Sequence, residues 1–217
     1  MKKNICTLLL ALSLTTSMHT TTHAANTTNE KSKNFIPPIE EKQDSLRSIK
    51  SELAKQGATL TLISEDEYYA EKAKLTKKPI KELKSKDKLL KRASQDQYGT
   101  ITKTETIVDS RGAKCQIRYG FKAKFYSSGS FHEYKEILGS PFVIATGSGD
   151  FTWEDAGESY AEIINNGWNV KFLASGVIKA EIGYSLSSSF KTAGFELSGS
   201  SHNKQIYRKW HSIQETF

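Results

Sequence analysis

Residues 114–125 read KCQIRYGFKAKF, and apolar and polar side chains alternate through this stretch. Alternation with a period of two is the pattern of a β-strand that has one buried and one solvated face. The apolar positions are Cys115, Ile117, Tyr119, Phe121, Ala123 and Phe125. Residues 100–108 alternate in the same way, and the intervening Ser110, Arg111 and Gly112 predict a β-hairpin.

Short strand-like stretches continue from this hairpin to the end of the chain. We expect them at residues 131–138, 142–145, 151–153, 159–164, 168–190, 194–200 and 204–213. Residues 139–141 (GSP) are expected to end one strand, and the Asn166-Gly167 pair favours a tight hairpin turn. Trp168 and Tyr184 share the apolar parity of the longest stretch, which predicts that both are buried. Residues 98–217 therefore predict an antiparallel β-sandwich, or a partly closed barrel, of about 8–9 strands.

The preceding residues carry a helical pattern. Apolar side chains at 46, 49 and 53 share one helix face, and Gly57 suits the end of that helix. A short strand is expected at 58–63, and Ser64 with Glu67 forms a capping-box signature that begins a second helix over 65–75. Residues 39–75 thus predict a small helix–strand–helix unit, followed by a lysine-rich linker or helix at 76–97.

The first 24 residues have the pattern of an export signal. Two lysines precede the apolar run 5–14 (ICTLLLALSL), and small residues favour cleavage after Ala24 or Ala25. We therefore expect a secreted protein whose polar residues 25–38 form a flexible leader. No later stretch has the roughly 20 consecutive apolar residues of a transmembrane helix.

The charge and the cysteine content indicate what kind of exported protein this is. The chain has a formal net charge of +7, which cleavage of residues 1–24 would lower to +5 while leaving Cys115 as the one cysteine. A single thiol cannot form an internal disulfide, so the core itself must hold the exported domain together. Disulfide-poor, lysine-rich export is typical of Gram-positive bacteria. Since Cys115 lies on the apolar parity of its strand, we expect a buried side chain rather than a nucleophile.

The basic charge is concentrated in residues 71–92, which contain ten basic and three acidic side chains. The candidate polyanion-binding residues are Lys72, Lys74, Lys77, Lys78, Lys81, Lys84, Lys86, Lys88, Lys91 and Arg92. One interpretation is an electrostatic tether to wall teichoic acid or anionic lipid, and the other is a solvated segment. Nucleic acid is not the expected partner, because the run contains one arginine and no aromatic residue for stacking on bases.

A second candidate is the loop around Trp153. Its possible ligand-binding residues are Asp150, Trp153, Glu154, Asp155 and Glu158. Paired carboxylates are compatible with glycoside hydrolysis or with Ca²⁺, although the spacing matches no known calcium loop and a solvated loop explains it as well. The histidines at 132, 202 and 211 are scattered, so we expect no metal site, no cofactor and no catalytic constellation.

These patterns favour a secreted, non-enzymatic binding protein. Its expected partner is an anionic polymer of the bacterial cell envelope or another protein, with the basic run as a tether. The alternative is a membrane-active, pore-forming-like β-protein that uses residues 175–201, which are rich in Ser, Gly and Thr and alternate with apolar residues. Trp153, Trp168 and Trp210 are further candidates for stacking on sugars, although such residues in a sandwich are commonly part of the core.

Overall fold

The structure is a computed structural model that describes residues 39–89, 96–110 and 112–217. The predicted export signal and leader, together with Lys91 and Arg92, lie outside the described residues. The helices are α1 (Ile39–Lys55), α2 (Glu65–Thr76), α3 (Ile80–Leu89) and α4 (Ser187–Thr192). The strands are β1 (Ala58–Leu62), β2 (Asp96–Ser110), β3 (Ala113–Ser128), β4 (Phe131–Gly147), β5 (Asp150–Asp155), β6 (Tyr160–Ile164), β7 (Asn169–Gly183), β8 (Glu196–Ser201) and β9 (Lys204–Thr216).

The strands form two antiparallel sheets. The first sheet has the order β1-β2-β3-β4, and the second has the order β5-β7-β9-β8, with β6 also paired to β7. In the described part of the chain β1 pairs with β2 alone and β8 with β9 alone, so neither sheet closes into a barrel. The prediction of a mainly β, antiparallel fold is therefore confirmed.

The main hydrophobic core lies between the two sheets. The ring centroids of Tyr119 on β3 and Phe172 on β7 are 5.2 Å apart, and those of Phe121 and Phe217 are 5.4 Å apart. The predicted alternation of β3 is present, since Cys115, Phe121 and the other apolar positions of residues 114–125 are buried. At Gly120 a Cβ atom would lie 2.0 Å from the carbonyl oxygen of Ile101, so this close approach of β2 to β3 requires glycine.

Helix α1 adds to the main core, and helices α2 and α3 help to form a second one. Ile49 and Leu53 of α1 join the main core, as their spacing predicts. The α2–α3 hairpin packs on the outer face of the first sheet, where a second cluster of buried residues forms from Tyr68, Tyr69, Leu83, Tyr98 and Leu138. The capping prediction is confirmed, because the Ser64 side chain accepts a hydrogen bond of 3.1 Å from the Glu67 backbone N–H. Strand β1 pairs with β2, while the division of the chain into separate domains stays a prediction.

The prediction of one long strand over residues 168–190 is wrong. Strand β7 ends at Gly183, and a helical turn at Tyr184–Leu186 leads into α4. The serines at 185 and 187–189 explain the change, because serine side chains compete for backbone hydrogen bonds and favour turns and helix ends. Trp168 and Tyr184, predicted to be buried, are 45% and 55% exposed because both lie outside β7.

Two turn predictions also need correction. Residues 139–141 do not end a strand, because β4 continues through them with an irregularity. Lys122 of β3 pairs with Leu138 and Gly120 pairs with Phe142, so the intervening three residues of β4 stand opposite one residue of β3. The β6–β7 hairpin is present but longer than a two-residue turn, since Ile164 pairs with Asn169 and both asparagines of the loop are left-handed.

Candidate functional site

The α2–α3 hairpin divides the predicted basic run into two groups of lysines. Lys72 Nζ lies 2.6 Å from Glu136 Oε2 on β4, and Lys84 Nζ lies 2.5 Å from Asp66 Oδ1 on α2. Lys86 forms a 3.3 Å ion pair with Glu82 one turn earlier. These three lysines therefore neutralise acidic side chains of the protein itself.

A cluster of charges fastens α3 to the first sheet. Lys124 Nζ on β3 is 2.9 Å from both Asp87 Oδ2 on α3 and Asp96 Oδ2 on β2. Tyr69 of α2 donates a hydrogen bond to the same Asp87 carboxylate. Burial by itself would raise the pKa of Asp87, but the hydrogen bonds from Tyr69 and Lys124 outweigh it and hold this pKa below its usual value. Burial likewise opposes the charge of Lys124, and the two aspartates nevertheless raise its pKa.

The second group of lysines lies where α2 turns into α3. Lys74, Lys77, Lys78 and Lys81 are exposed, and none forms an ion pair with a side chain in the described part of the chain. Leu75 and Ile80 lie among them and are 54% and 41% exposed. Lys77 ends α2 in the left-handed conformation (φ 55°), and α3 begins at Ile80, so the turn between the helices comprises only residues 77–79. We call these six residues the basic tip.

The remaining members of the predicted run cannot be assigned to either group. Lys88 lies on α3, but its side chain is not described, and Lys91 and Arg92 lie outside the described residues. Sequence reasoning treated the run as one group, and its binding role stays a prediction. The separation depends on which acidic residues of β4, α2 and α3 lie within reach of each lysine in the folded chain.

The acidic residues around Trp153 do not come together at one site in the structure. Asp150 pairs with Lys204, and Glu154 Oε2 lies 3.3 Å from a guanidinium nitrogen of Arg208. Asp155 instead accepts a 2.7 Å hydrogen bond from the Trp153 indole N–H, while Glu158 is exposed. The hydrogen bond and charge of Lys204 lower the pKa of Asp150. Among the described residues no group of three or more His, Cys, Asp or Glu side chains is placed to hold a metal ion.

Sequence reasoning missed a polar cluster between the sheets. Lys103 Nζ on β2 is 2.7 Å from Glu215 Oε1 on β9, and the Tyr119 hydroxyl donates to the same oxygen at 3.1 Å. Nearby, His211 Nε2 lies 3.3 Å from Glu105 Oε2. Burial, followed by the charge of Glu215, raises the pKa of Tyr119, so its hydroxyl remains a proton donor at neutral pH.

This inter-sheet cluster has a recognisable signal in the sequence. Lys103 and Glu105 share the parity of the buried Ile101, and His211 and Glu215 share that of the buried Ile213. In the described part of the chain, β1 pairs with β2 only as far as Lys103, and β8 does not pair beyond Arg208 of β9. Inward charges beside unpaired strand edges hinder pairing with another chain, so protection of the sheet edges accounts for this cluster.

The single described thiol is not arranged for nucleophilic chemistry. Cys115 is fully buried on the inner face of β3, where its parity predicts it. Burial raises the pKa of the Cys115 thiol to about 12, an effect that the charge of Lys209 opposes only in part. Because the thiolate is the reactive form, the thiol is protonated and unreactive at neutral pH.

The stretch considered for membrane insertion, residues 175–201, is divided between two strands and the helical segment that joins them. Residues 175–183 belong to β7, which pairs with β5 and β6 on one side and β9 on the other. Residues 196–201 form β8, which is separated from β7 by β9. Insertion as a hairpin would therefore first require the central pairs of the second sheet to break. Among the described residues, no helix has the length and apolar character needed to cross a bilayer.

The fold and the basic tip define a mainly β protein of two packed antiparallel sheets with a charged helical hairpin on one outer face. Comparison with models of known protein families, with curated proteins and with solved structures finds no match to the chain.

Proposed function

We propose that this protein binds an anionic polymer of the bacterial cell envelope, with the basic tip as the contact site. The observation that carries the proposal is the concentration, at one turn, of lysines that have no ionic partner among the described residues. Lys74, Lys77, Lys78 and Lys81 are exposed there, whereas Lys72, Lys84 and Lys86 of the same run are used in ion pairs. The expected export of the chain would bring the basic tip to such a polymer.

The chemistry of the basic tip suits repeated phosphate groups. Lysine ammonium groups are compact point charges on flexible stems, and they can follow a polymer whose phosphates are not held in one geometry. The four lysines lie within eight residues, and the anchored ends of α2 and α3 hold them together. Their combined field is strong within the Debye length of about 8 Å at physiological salt and weakens as salt is added. Wall teichoic acid has the required repeated phosphates.

Co-sedimentation with Gram-positive cell walls tests this proposal. The protein should pellet with walls that carry teichoic acid at low salt, and high salt or prior removal of teichoic acid should release it. Replacing Lys74, Lys77, Lys78 and Lys81 with Gln should abolish pelleting.

A matched control removes the same number of charges elsewhere. Lys50, Lys55, Lys114 and Lys191 are exposed and scattered over α1, β3 and α4. Their replacement with Gln should leave most of the pelleting intact. Equal loss in the two variants would show that net charge alone drives the interaction, and salt-insensitive pelleting would contradict an electrostatic contact.

One observation favours a second candidate, an anionic membrane surface. Leu75 and Ile80 are exposed among the four lysines, and apolar side chains flanked by lysines are suited to the boundary between headgroups and acyl chains. Vesicles containing phosphatidylglycerol would then retain the protein, and replacement of Leu75 and Ile80 with Ser would release it. Retention by walls but not by vesicles, unaffected by this double replacement, would leave the polymer as the partner.

A further inference from the structure

None of the described helices or strands covers the outer face of the second sheet. Side chains at alternate positions of β7 (Lys171, Leu173, Ser175, Val177 and Lys179) are all partly exposed. The neighbouring positions of β9 on the same face (Arg208, Trp210, Ser212 and Gln214) are exposed. We call this surface, with the paired outer positions of β5 and β6, the Trp210 face.

A tryptophan stands in the middle of this surface. Trp210 is 58% exposed, more than Trp168 or any of the other large apolar side chains that the described residues expose. It pairs with Val177 of β7, so an aliphatic side chain lies beside it. An indole ring on a regular strand offers a large apolar surface that a ligand can cover.

Polar pairs flank the tryptophan along the strand. Arg208 lies two residues to one side and forms a 3.3 Å ion pair with Glu154 of β5. Ser212 lies two residues to the other side, with its hydroxyl oxygen 3.2 Å from that of Ser175. Two residues of a strand span about 7 Å, so hydrogen-bonding groups stand on both sides of the ring at roughly the dimension of one sugar residue.

The Trp210 face has no excess of basic charge, in contrast to the basic tip. The outer positions of β5, β6, β7 and β9 hold four basic and four acidic side chains, namely Lys171, Lys179, Lys204 and Arg208 with Asp150, Glu154, Glu162 and Glu181. Glu196 of the edge strand β8 pairs with Arg208 and adds a fifth acidic side chain beside this surface. Three of the basic residues form ion pairs with three of the acidic ones. A surface without net positive charge does not attract a polyanion, but its donors and acceptors suit hydroxyl groups.

From these observations we infer that the Trp210 face is a binding site for a neutral polysaccharide. A sugar ring stacks its C–H face on Trp210, and its hydroxyl groups bond to Arg208 and Glu154 on one side and to Ser212 and Ser175 on the other. The site needs a flat aromatic surface with polar groups at its margins, and the outer face of the second sheet has both.

A protein partner fits the same surface less well. Stable protein interfaces bury about 800 Å² on each partner around a core depleted in charged residues. The Trp210 face instead has charged pairs directly beside its tryptophan, and its second aromatic side chain, Tyr160 of β6, lies under the ammonium group of Lys171. A second copy of this chain is therefore the competing occupant that the experiment must distinguish.

The inference does not depend on the proposed function of the basic tip. The α2–α3 hairpin lies on the outer face of the first sheet, whereas Trp210 lies on the outer face of the second. Binding at one surface therefore leaves the other accessible, and either proposal can fail without the other.

Pull-down with insoluble polysaccharides tests the inference. The probes are chitin, cellulose, an insoluble α-glucan and peptidoglycan freed of teichoic acid, all at about 1 M salt, where the Debye length of about 3 Å suppresses contacts of the basic tip. At least one probe should retain the protein, and Trp210→Ala should weaken retention about tenfold or more through loss of the stacking surface. Trp210→Phe should restore part of it, and Ser212→Ala should reduce it by a smaller factor.

Two further variants make the result specific. Trp168→Ala removes another exposed tryptophan and should bind as the unchanged protein does. The four-Gln variant of the basic tip should also bind normally, which separates this site from the proposed tether. Retention by none of the four probes, or equal retention of Trp210→Ala, would overturn the inference. So would a dimer in sedimentation analysis that Trp210→Ala dissociates, because the face would then be an interface between copies.

Discussion

The two outer faces of the sandwich differ in what covers them. The first sheet presents Tyr98 and Leu138 together with Lys122 and Lys124, and the α2–α3 hairpin covers these residues with tyrosines and acidic side chains. The second sheet presents serines, balanced ion pairs and Trp210, and its side chains remain at least partly exposed. One face thus buries its apolar and charged groups within the protein, whereas the other leaves them accessible.

This difference separates residues that hold the fold together from residues available to a partner. On the covered face, lysines such as Lys72 and Lys124 stabilise the packing of a helix against a strand. At the far end of the same hairpin, the lysines of the basic tip contact no acidic side chain among the described residues. Residue type alone therefore does not distinguish a structural lysine from a binding one, and substitutions that compare the two kinds test the distinction.

The largest effect is expected from Lys124→Ala on the covered face. The substitution leaves Asp87 and Asp96 without their shared partner in a site where the Lys124 side chain is 10% exposed. Removing one member of a buried charge cluster costs about 3 kcal/mol, because the remaining charges stay desolvated. Urea unfolding should show this decrease in the free energy of unfolding. Lys114→Ala, on the same strand but exposed, should stay within about 0.5 kcal/mol of the original.

A pair of tryptophans tests the same contrast on the second sheet. Trp153 packs against the main core, and its ring occupies the space beside Gly176, where a Cβ atom would lie 2.5 Å from it. Trp153→Ala should therefore lower the free energy of unfolding by about 2 kcal/mol, less than a fully buried tryptophan would lose. Trp210→Ala should change it by less than about 0.5 kcal/mol. A large destabilisation by Trp210→Ala would mean that its role is structural.

Neighbouring lysines on α2 provide a smaller and closely matched comparison. Lys72 is paired with Glu136 and lies 5.8 Å from the centre of the Tyr68 ring, whereas Lys74 is exposed. Alanine has nearly the same helix propensity in both places, so the difference between the variants reports the tertiary contacts. Lys72→Ala should cost about 1 kcal/mol in thermal or urea unfolding, and Lys74→Ala close to nothing. Equal effects would contradict the division of the basic run into two groups.

Local patterns were sufficient to predict most of the strands because alternation reports directly which side chains face the core. The apolar residues of 114–125 are buried as their parity predicts, and Ser64 caps α2 as its spacing from Glu67 predicts. The same rule failed after Gly183, because parity continues through Tyr184 and Leu186 while the serines that follow favour a helical turn. Apolar parity therefore predicts burial only where the chain stays extended.

The sites were harder to predict because they depend on contacts between distant residues. Nothing near Lys72 in the sequence indicates that Glu136 neutralises it, and nothing near Trp210 indicates that none of the described elements covers it. The inter-sheet cluster would have been easier to predict from the sequence. Charged residues such as Glu105 and His211 on an otherwise buried parity already indicate a polar interior contact, even though the partner strand remains unknown until the sheets are placed.

The smallest predicted effect is a pH dependence of the covered face. The pKa of Asp87 lies below its usual value because the hydrogen bonds from Tyr69 and Lys124 outweigh burial, so the ionised carboxylate stabilises the folded state. This contribution is present above the unfolded pKa of about 4 and is lost as the pH falls through the lower folded pKa. Lys124 remains charged throughout this range, because its own pKa is raised. The free energy of unfolding should therefore fall on acidification below about pH 4, and it should fall less steeply in Asp87→Asn. Urea unfolding at a series of pH values measures both slopes.

The exposed Asp66 and Asp150 also have lowered pKa values, but both are retained in the variant, so the difference between the curves isolates Asp87. Parallel curves would show that the Lys124 cluster does not link protonation to the docking of α3, and the covered face would then owe its stability to the packing of Tyr68, Tyr69 and Leu83.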